Sequence, residues 1–86
     1  MSKWQKESIQ LHLEHLNDRI NDWTNNLNRG STDPTYSISC SAKLLEATAE
    51  MNGIIYTLSV LGYDVHFTEN AIGLSKCEIV EMDKVF

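Results

Sequence analysis

"NGIIYTLSVLGYDVHF", residues 52–67, is the most apolar stretch of the chain, and what covers it decides the fold. Its first ten residues have the character of a helix with apolar side chains on nearly every face. Its end alternates: Tyr63, Val65 and Phe67 against Asp64, His66 and Thr68, the period of a strand with one buried face. Gly62 separates the two patterns, as the glycine that ends a helix with an apolar neighbour folding back.

Upstream, the helical pattern extends back to about Ala42, with Ser41 as its cap. Leu44, Ala47, Met51, Ile55 and Leu58 form one stripe, and Leu45, Ile54 and Leu61 lie beyond its edges. Lys43, Glu46 and Glu50 give the first half a polar face, whereas the second half has only Thr57 and Ser59, whose hydroxyls can return to backbone carbonyls. Gly53 costs about 1 kcal/mol relative to alanine in a helix interior; either close approach by another element offsets that, or the helix simply tolerates the glycine.

The segment before it, "TYSISCS" at 35–41, alternates Tyr36, Ile38 and Cys40 with Ser and Thr, which predicts a short strand or extended segment at 35–40. Asp33 and Pro34 offer a competing assignment, an N-cap followed by proline at the first helical position, which would open the helix early.

A long amphipathic helix is predicted from Trp4 to Asn28, ended by Gly30 and the loop "GSTDP". Ile9, Leu13, Leu16, Ile20, Trp23 and Leu27 form one narrow stripe on it. That stripe either packs on the chain's own domain or serves in part as a dimer seam. The flanking positions lack the alternating Glu and Lys of a parallel zipper. Downstream, "TENAIG" supplies a turn and "LSKCEIVEM", residues 74–82, a second strand. Cys77 and Ile79 share one face of it and Lys76, Glu78 and Val80 the other, with a bulge allowed at the "IV" pair. The expected fold is a single α+β domain over 1–86: a long helix, a central apolar helix and a C-terminal β-hairpin. Packing against the central helix would stabilise a hairpin that is marginal alone.

With 86 residues, 42% hydrophobic and 22% charged, the composition is that of one globular domain. No run approaches the ~18 apolar residues of a membrane span, so no membrane partner is expected. The start "MSKWQKESIQ" has no apolar secretory core, and Cys40 and Cys77 are too few for a disulfide framework, so a cytoplasmic location with both thiols reduced is expected. The net charge of −5 includes seven scattered basic residues that form no patch, which argues against direct nucleic-acid binding.

Chemistry-bearing candidates are sparse. His12 and His15 sit three residues apart on the first helix, but zinc needs three or four converging ligands and no second ligand group accompanies them. Glu46 and Glu50 are a carboxylate pair most simply read as a wet face, and His66 alternates with the buried side of its strand. The glycines are dispersed, and no nucleophile–base–orienter set can be assembled. No metal, no cofactor and no enzymatic activity are therefore expected.

What remains is a surplus of apolar surface on the central helix. It predicts a protein-binding module acting as a homodimer, with Ile9, Leu13, Leu16, Ile20, Trp23 and Tyr56 as candidate interface residues. Trp4 and Tyr36 are further aromatics that either contact a partner or finish the edge of a small core. One alternative is an acidic nucleic-acid mimic using Asp64, Glu69, Glu78, Glu81 and Asp83 to occlude a basic surface. Another is a small-molecule or nucleotide site around Tyr63, His66 and Cys77. In size, acidity and lack of motifs the chain resembles the small acidic accessory proteins of bacteriophages and prophages, a likeness carried by no defined residues. It implies a protein that binds and inhibits a host protein.

Overall fold

The computed structural model describes residues 1–30, 33–69 and 75–82. Two helices, α1 (Lys3–Asn28) and α2 (Pro34–Val60), are followed by two strands, β1 (Tyr63–Glu69) and β2 (Ser75–Glu81), in an α+β arrangement. Helix α1 opens on a capping box that "SKWQ" encodes. Ser2 Oγ accepts the Gln5 N–H at 3.1 Å and Gln5 Oε1 accepts the Ser2 N–H at 3.0 Å. It closes at Gly30, whose φ of 71° lets its N–H reach the Leu27 carbonyl at 3.1 Å.

The expected strand at 35–40 does not form, and α2 starts well before Ala42. Asp33 is the N-cap, its carboxylate accepting the Thr35 N–H at 3.0 Å, and Pro34 occupies the first turn. The alternation that suggested a strand is not used. Of its three apolar members only Cys40 turns inward, whereas Tyr36 and Ile38 are exposed. Cys40 instead extends the helical stripe backward, one turn ahead of Leu44. Gly62 (φ 92°) ends the second helix as expected, and its carbonyl accepts the Met82 N–H at 2.9 Å.

The strands pair antiparallel from Tyr63↔Glu81 to Glu69↔Ser75 with every residue matched, so the bulge allowed at Ile79–Val80 is absent from the ladder. Of the predicted turn at 68–73, residues 70–73 lie outside the described residues. The hairpin spans both helices, β1 against α2 and β2 against α1. Where the three meet lies the core: Leu13, Leu16, Ala47, Met51, Leu58, Cys77 and Ile79, with Ile9, Ile20, Ile54, Ile55, Tyr63 and Val65 packed around it.

Helix α1 also closes one edge of the sheet. Gln10 Oε1 accepts the Ile79 N–H and Glu14 Oε1 the Cys77 N–H, each at 2.9 Å, and Asn17 Nδ2 donates to Ser75 Oγ. Gln10 and Glu14 thus take two of the edge N–H groups a neighbouring strand would pair, and Asn17 pins the Ser75 side chain beside them.

Beyond Asn17 this support stops. Residues 18–28 of α1 and 34–46 of α2 form a two-helix arm, in which Cys40 is buried and Trp23, Leu27 and Leu44 are only half-buried. The arm makes the molecule long, 53 × 29 × 25 Å, with a radius of gyration of 15.5 Å. A compact chain of this length would have about 12 Å. The solvent-accessible surface of 6497 Å² is likewise well above the roughly 5,200 Å² of a folded monomer of 9.8 kDa.

Candidate functional site

The core faces one side of α2, and on the opposite side the helix is also apolar. At about 100° per residue, Ile38, Ala42, Leu45, Ala49, Tyr56 and Val60 fall on one outward stripe. Ile38, Leu45, Tyr56 and Val60 are each about 70% exposed (70%, 71%, 71% and 69%). No charged residue interrupts them; Asn52 is the polar member, and Lys43, Glu46 and Glu50 lie off to one flank. Gly53 belongs to the edge of this surface. A Cβ built there would meet nothing within 4 Å, so the close approach expected at this glycine is not made inside the chain.

Next to the stripe, an open groove of about 730 Å³ runs between α1 and α2. Ile9, Ile54 and Leu58 line it, with Ala49 and Gly53 shared between groove and stripe. Glu50 crosses from α2 to α1, where its Oε1 accepts from His12 Nε2 at 3.1 Å. Ser8 lines the same groove one turn from His12, but no hydrogen bond joins the two among the described residues. Far along the groove's side, the N-terminal amine of Met1 donates to the Tyr63 hydroxyl at 3.2 Å.

The candidate interface residues divide in two. Leu13 and Leu16 are 0% and 1% exposed in the chain's own core, and Ile9 and Ile20 pack against that core. With half-buried Trp23, they make the seam of α1 an intramolecular contact with α2 and the hairpin. That corrects the idea of α1 as the outward-facing seam, because the α1 stripe is already covered by the same chain. Tyr56 is different: it stands in the open on the α2 stripe. Leu45, Ile38 and Val60 join it there and were not singled out as interface residues. The spacing of these residues was available in the sequence. A strand at 35–40 hides only Ile38; Leu45, Tyr56 and Val60 fall inside the helix predicted from Ala42, but on a helix apolar on nearly every face their stripe does not stand out from the core-facing one.

The acidic candidates do not gather. Asp64 and Glu78 share the outer face of the hairpin with His66 and Lys76, and His66 Nε2 lies 3.4 Å from Asp64 Oδ2. Glu69 and Glu81 belong to the other face and to opposite ends of the hairpin, about 20 Å apart at the strand rise. Asp83 lies outside the described residues. The small-molecule site around Tyr63, His66 and Cys77 is not assembled either, since the ladder puts His66 on the face opposite the other two.

Cys77 is buried, and desolvation, reinforced by the nearby Glu14 carboxylate, pushes its thiol up to about 11. A thiol held protonated in this way is a poor nucleophile and a poor metal ligand at neutral pH. Cys40 is buried as well, and both cysteines are free. The Tyr36 hydroxyl is raised above its ordinary range, chiefly by its hydrogen bond with Cys40. No group of three or more His, Cys, Asp or Glu side chains that could hold a metal ion occurs among the described residues. Nor is any helix among them long and apolar enough to cross a membrane.

No family model matches the chain, and neither curated proteins nor solved structures show a significant likeness to it.

Proposed function

We propose that this chain is a non-enzymatic protein-binding module that works as a homodimer. The observation that supports it is the outward face of α2, a charge-free apolar stripe running from Ile38 to Val60, about 33 Å long at the helical rise. Contiguous apolar patches of this extent are uncommon on proteins that act as monomers and mark sites of association. Two buried free thiols suit work in the reducing cytoplasm. The dimer offers a composite surface to another protein, which it would bind and occlude. The separation of the carboxylates over two faces and both ends of the hairpin disfavours nucleic-acid mimicry.

Solution mass by light scattering after size exclusion, over a wide concentration range, tests the proposal. Homodimer formation requires a mass near twice 9.8 kDa at the upper concentrations. A constant mass of 9.8 kDa up to millimolar chain would refute it.

A further inference from the structure

Resting on that homodimer proposal, we infer that the occupant of the α2 stripe is the α2 of a second copy, antiparallel, with the two-fold axis passing at Ala49. An isologous pair brings a surface against itself, so residues equidistant from the axis face each other. Counted outward from Ala49, the pairs are Leu45 with Gly53, Ala42 with Tyr56 and Ile38 with Val60. They lie four, seven and eleven residues from the axis, which are one, two and three helical turns, so all keep to one face.

The sizes match across the axis. Tyr56, the largest side chain of the stripe, meets Ala42, one of the smallest. Leu45 meets Gly53, where the space a Cβ would enter is open. Ala49 meets its own copy, which lets the two backbones approach at the centre. A parallel pairing would instead set Tyr56 on Tyr56 and Leu45 on Leu45, bulk on bulk, and leave the small residues facing gaps. Gly53 then has a physical reason: it is the position against which the partner's Leu45 packs.

The area agrees with a second copy as the occupant. Two helices in contact over about 33 Å remove on the order of 1,000 Å² from water in total, the least a biological interface clears and the size of a weak, concentration-dependent pair rather than of the roughly 1,200–2,000 Å² standard ones. Ala49 and Gly53 also form the lip of the α1–α2 groove, so a partner helix seated on them borders that cavity as well.

Single-cysteine cross-linking tests the geometry on the full chain, since Cys40 and Cys77 are buried and do not compete. Under mild oxidation, Ala49→Cys is expected to convert nearly completely to a covalent dimer on a non-reducing gel. Leu45→Cys is expected to stay uncrosslinked, because its two copies lie about 12 Å apart along the helices, beyond the 4.4–6.8 Å Cα span of a disulfide. An equal mixture of Ala42→Cys and Tyr56→Cys is expected to give the mixed dimer in excess over either self-pair. Cross-linking of both Ala49→Cys and Leu45→Cys would mean a parallel pair and overturn the antiparallel assignment. A wild-type dimer whose Ala49→Cys variant stays uncrosslinked, with its circular dichroism unchanged, would overturn the geometry and leave the homodimer standing. A wild-type chain that is monomeric throughout would remove both.

Discussion

The two ends of this molecule are built from the same two helices and differ in what covers them. At the hairpin end, α1, α2 and the sheet enclose Leu13, Leu16, Met51, Leu58 and Ile79, and α1 side chains satisfy the open edge of β2. In the arm, the same helices continue with nothing laid across them, and Cys40 is the buried residue. A two-helix arm has one contact face per helix, so each helix leaves the rest of its surface wet. For α1 that is harmless, because within the arm its exposed residues, Asp18, Arg19, Asn21, Asp22, Asn25 and Asn28, are all polar. For α2 it leaves Ile38 and Leu45 in water, and the same stripe continues over the hairpin end through Tyr56 and Val60. Enclosed packing therefore resides at one end, while the exposed apolar stripe of α2 extends over both.

Substitutions that empty the core should separate the two ends most sharply. Leu13→Ala or Ile79→Ala is expected to lower unfolding stability by about 3–4 kcal/mol in urea titrations, as for other fully enclosed aliphatic side chains. Leu27→Ala, in the half-exposed packing of the arm, should cost about 1 kcal/mol. Equal losses would mean that the arm is as well enclosed as the hairpin end.

The next effect is one of pH. The folded Cys77 thiol titrates at about 11, above its ordinary value of 9.0, so the unfolded chain loses this proton first as pH rises. Its contribution is fully present below pH 9 and is lost on the way to 11, at a total of about 2–3 kcal/mol. Denaturant midpoints measured from pH 8 to 11 should fall, and Cys77→Ala should flatten the fall.

Smaller still is the edge closure by α1. Gln10→Leu leaves the Ile79 N–H without its acceptor and should cost about 1–2 kcal/mol by chemical denaturation. Smallest is Asp33→Ala, which removes the cap of α2 at the tip of the arm for about 1 kcal/mol. Its effect on amide exchange should be confined to the arm, with amides around Met51 and Ile79 unchanged.

Most of the fold could be read from residue spacing, because its signals are local. Gly30 and Gly62 stop helices, the α1 stripe has an unbroken helical period, and Cys77 and Ile79 alternate with charged residues. The start of α2 at Pro34 is obscured because Ser and Thr between Tyr36, Ile38 and Cys40 imitate a strand. The capping strength of Asp33–Pro34 outweighs that short pattern once the helix behind it is long. The surplus of apolar surface on α2 was legible, but not its location. Which face of an all-round apolar helix remains open depends on where α1 and the hairpin dock, and local patterns do not specify that. Spacing on α1 alone does not separate packing on the chain's own core from a dimer seam, because an intramolecular helix pair and a seam have the same period; Leu13 and Leu16 take the first.

The central claim is that a second copy covers the outer face of α2, arm included. Amide hydrogen exchange followed by mass spectrometry, at high protein concentration and after serial dilution, addresses it directly. Amides of α2 between Tyr36 and Glu46 are expected to be protected at high concentration and to exchange quickly once the chain is dilute. Those around Leu13 and Ile79 should stay protected at dilutions where the arm no longer is. Protection in the arm that equals that of the core and is unchanged by dilution would contradict the account, because it would show an arm stable without a partner.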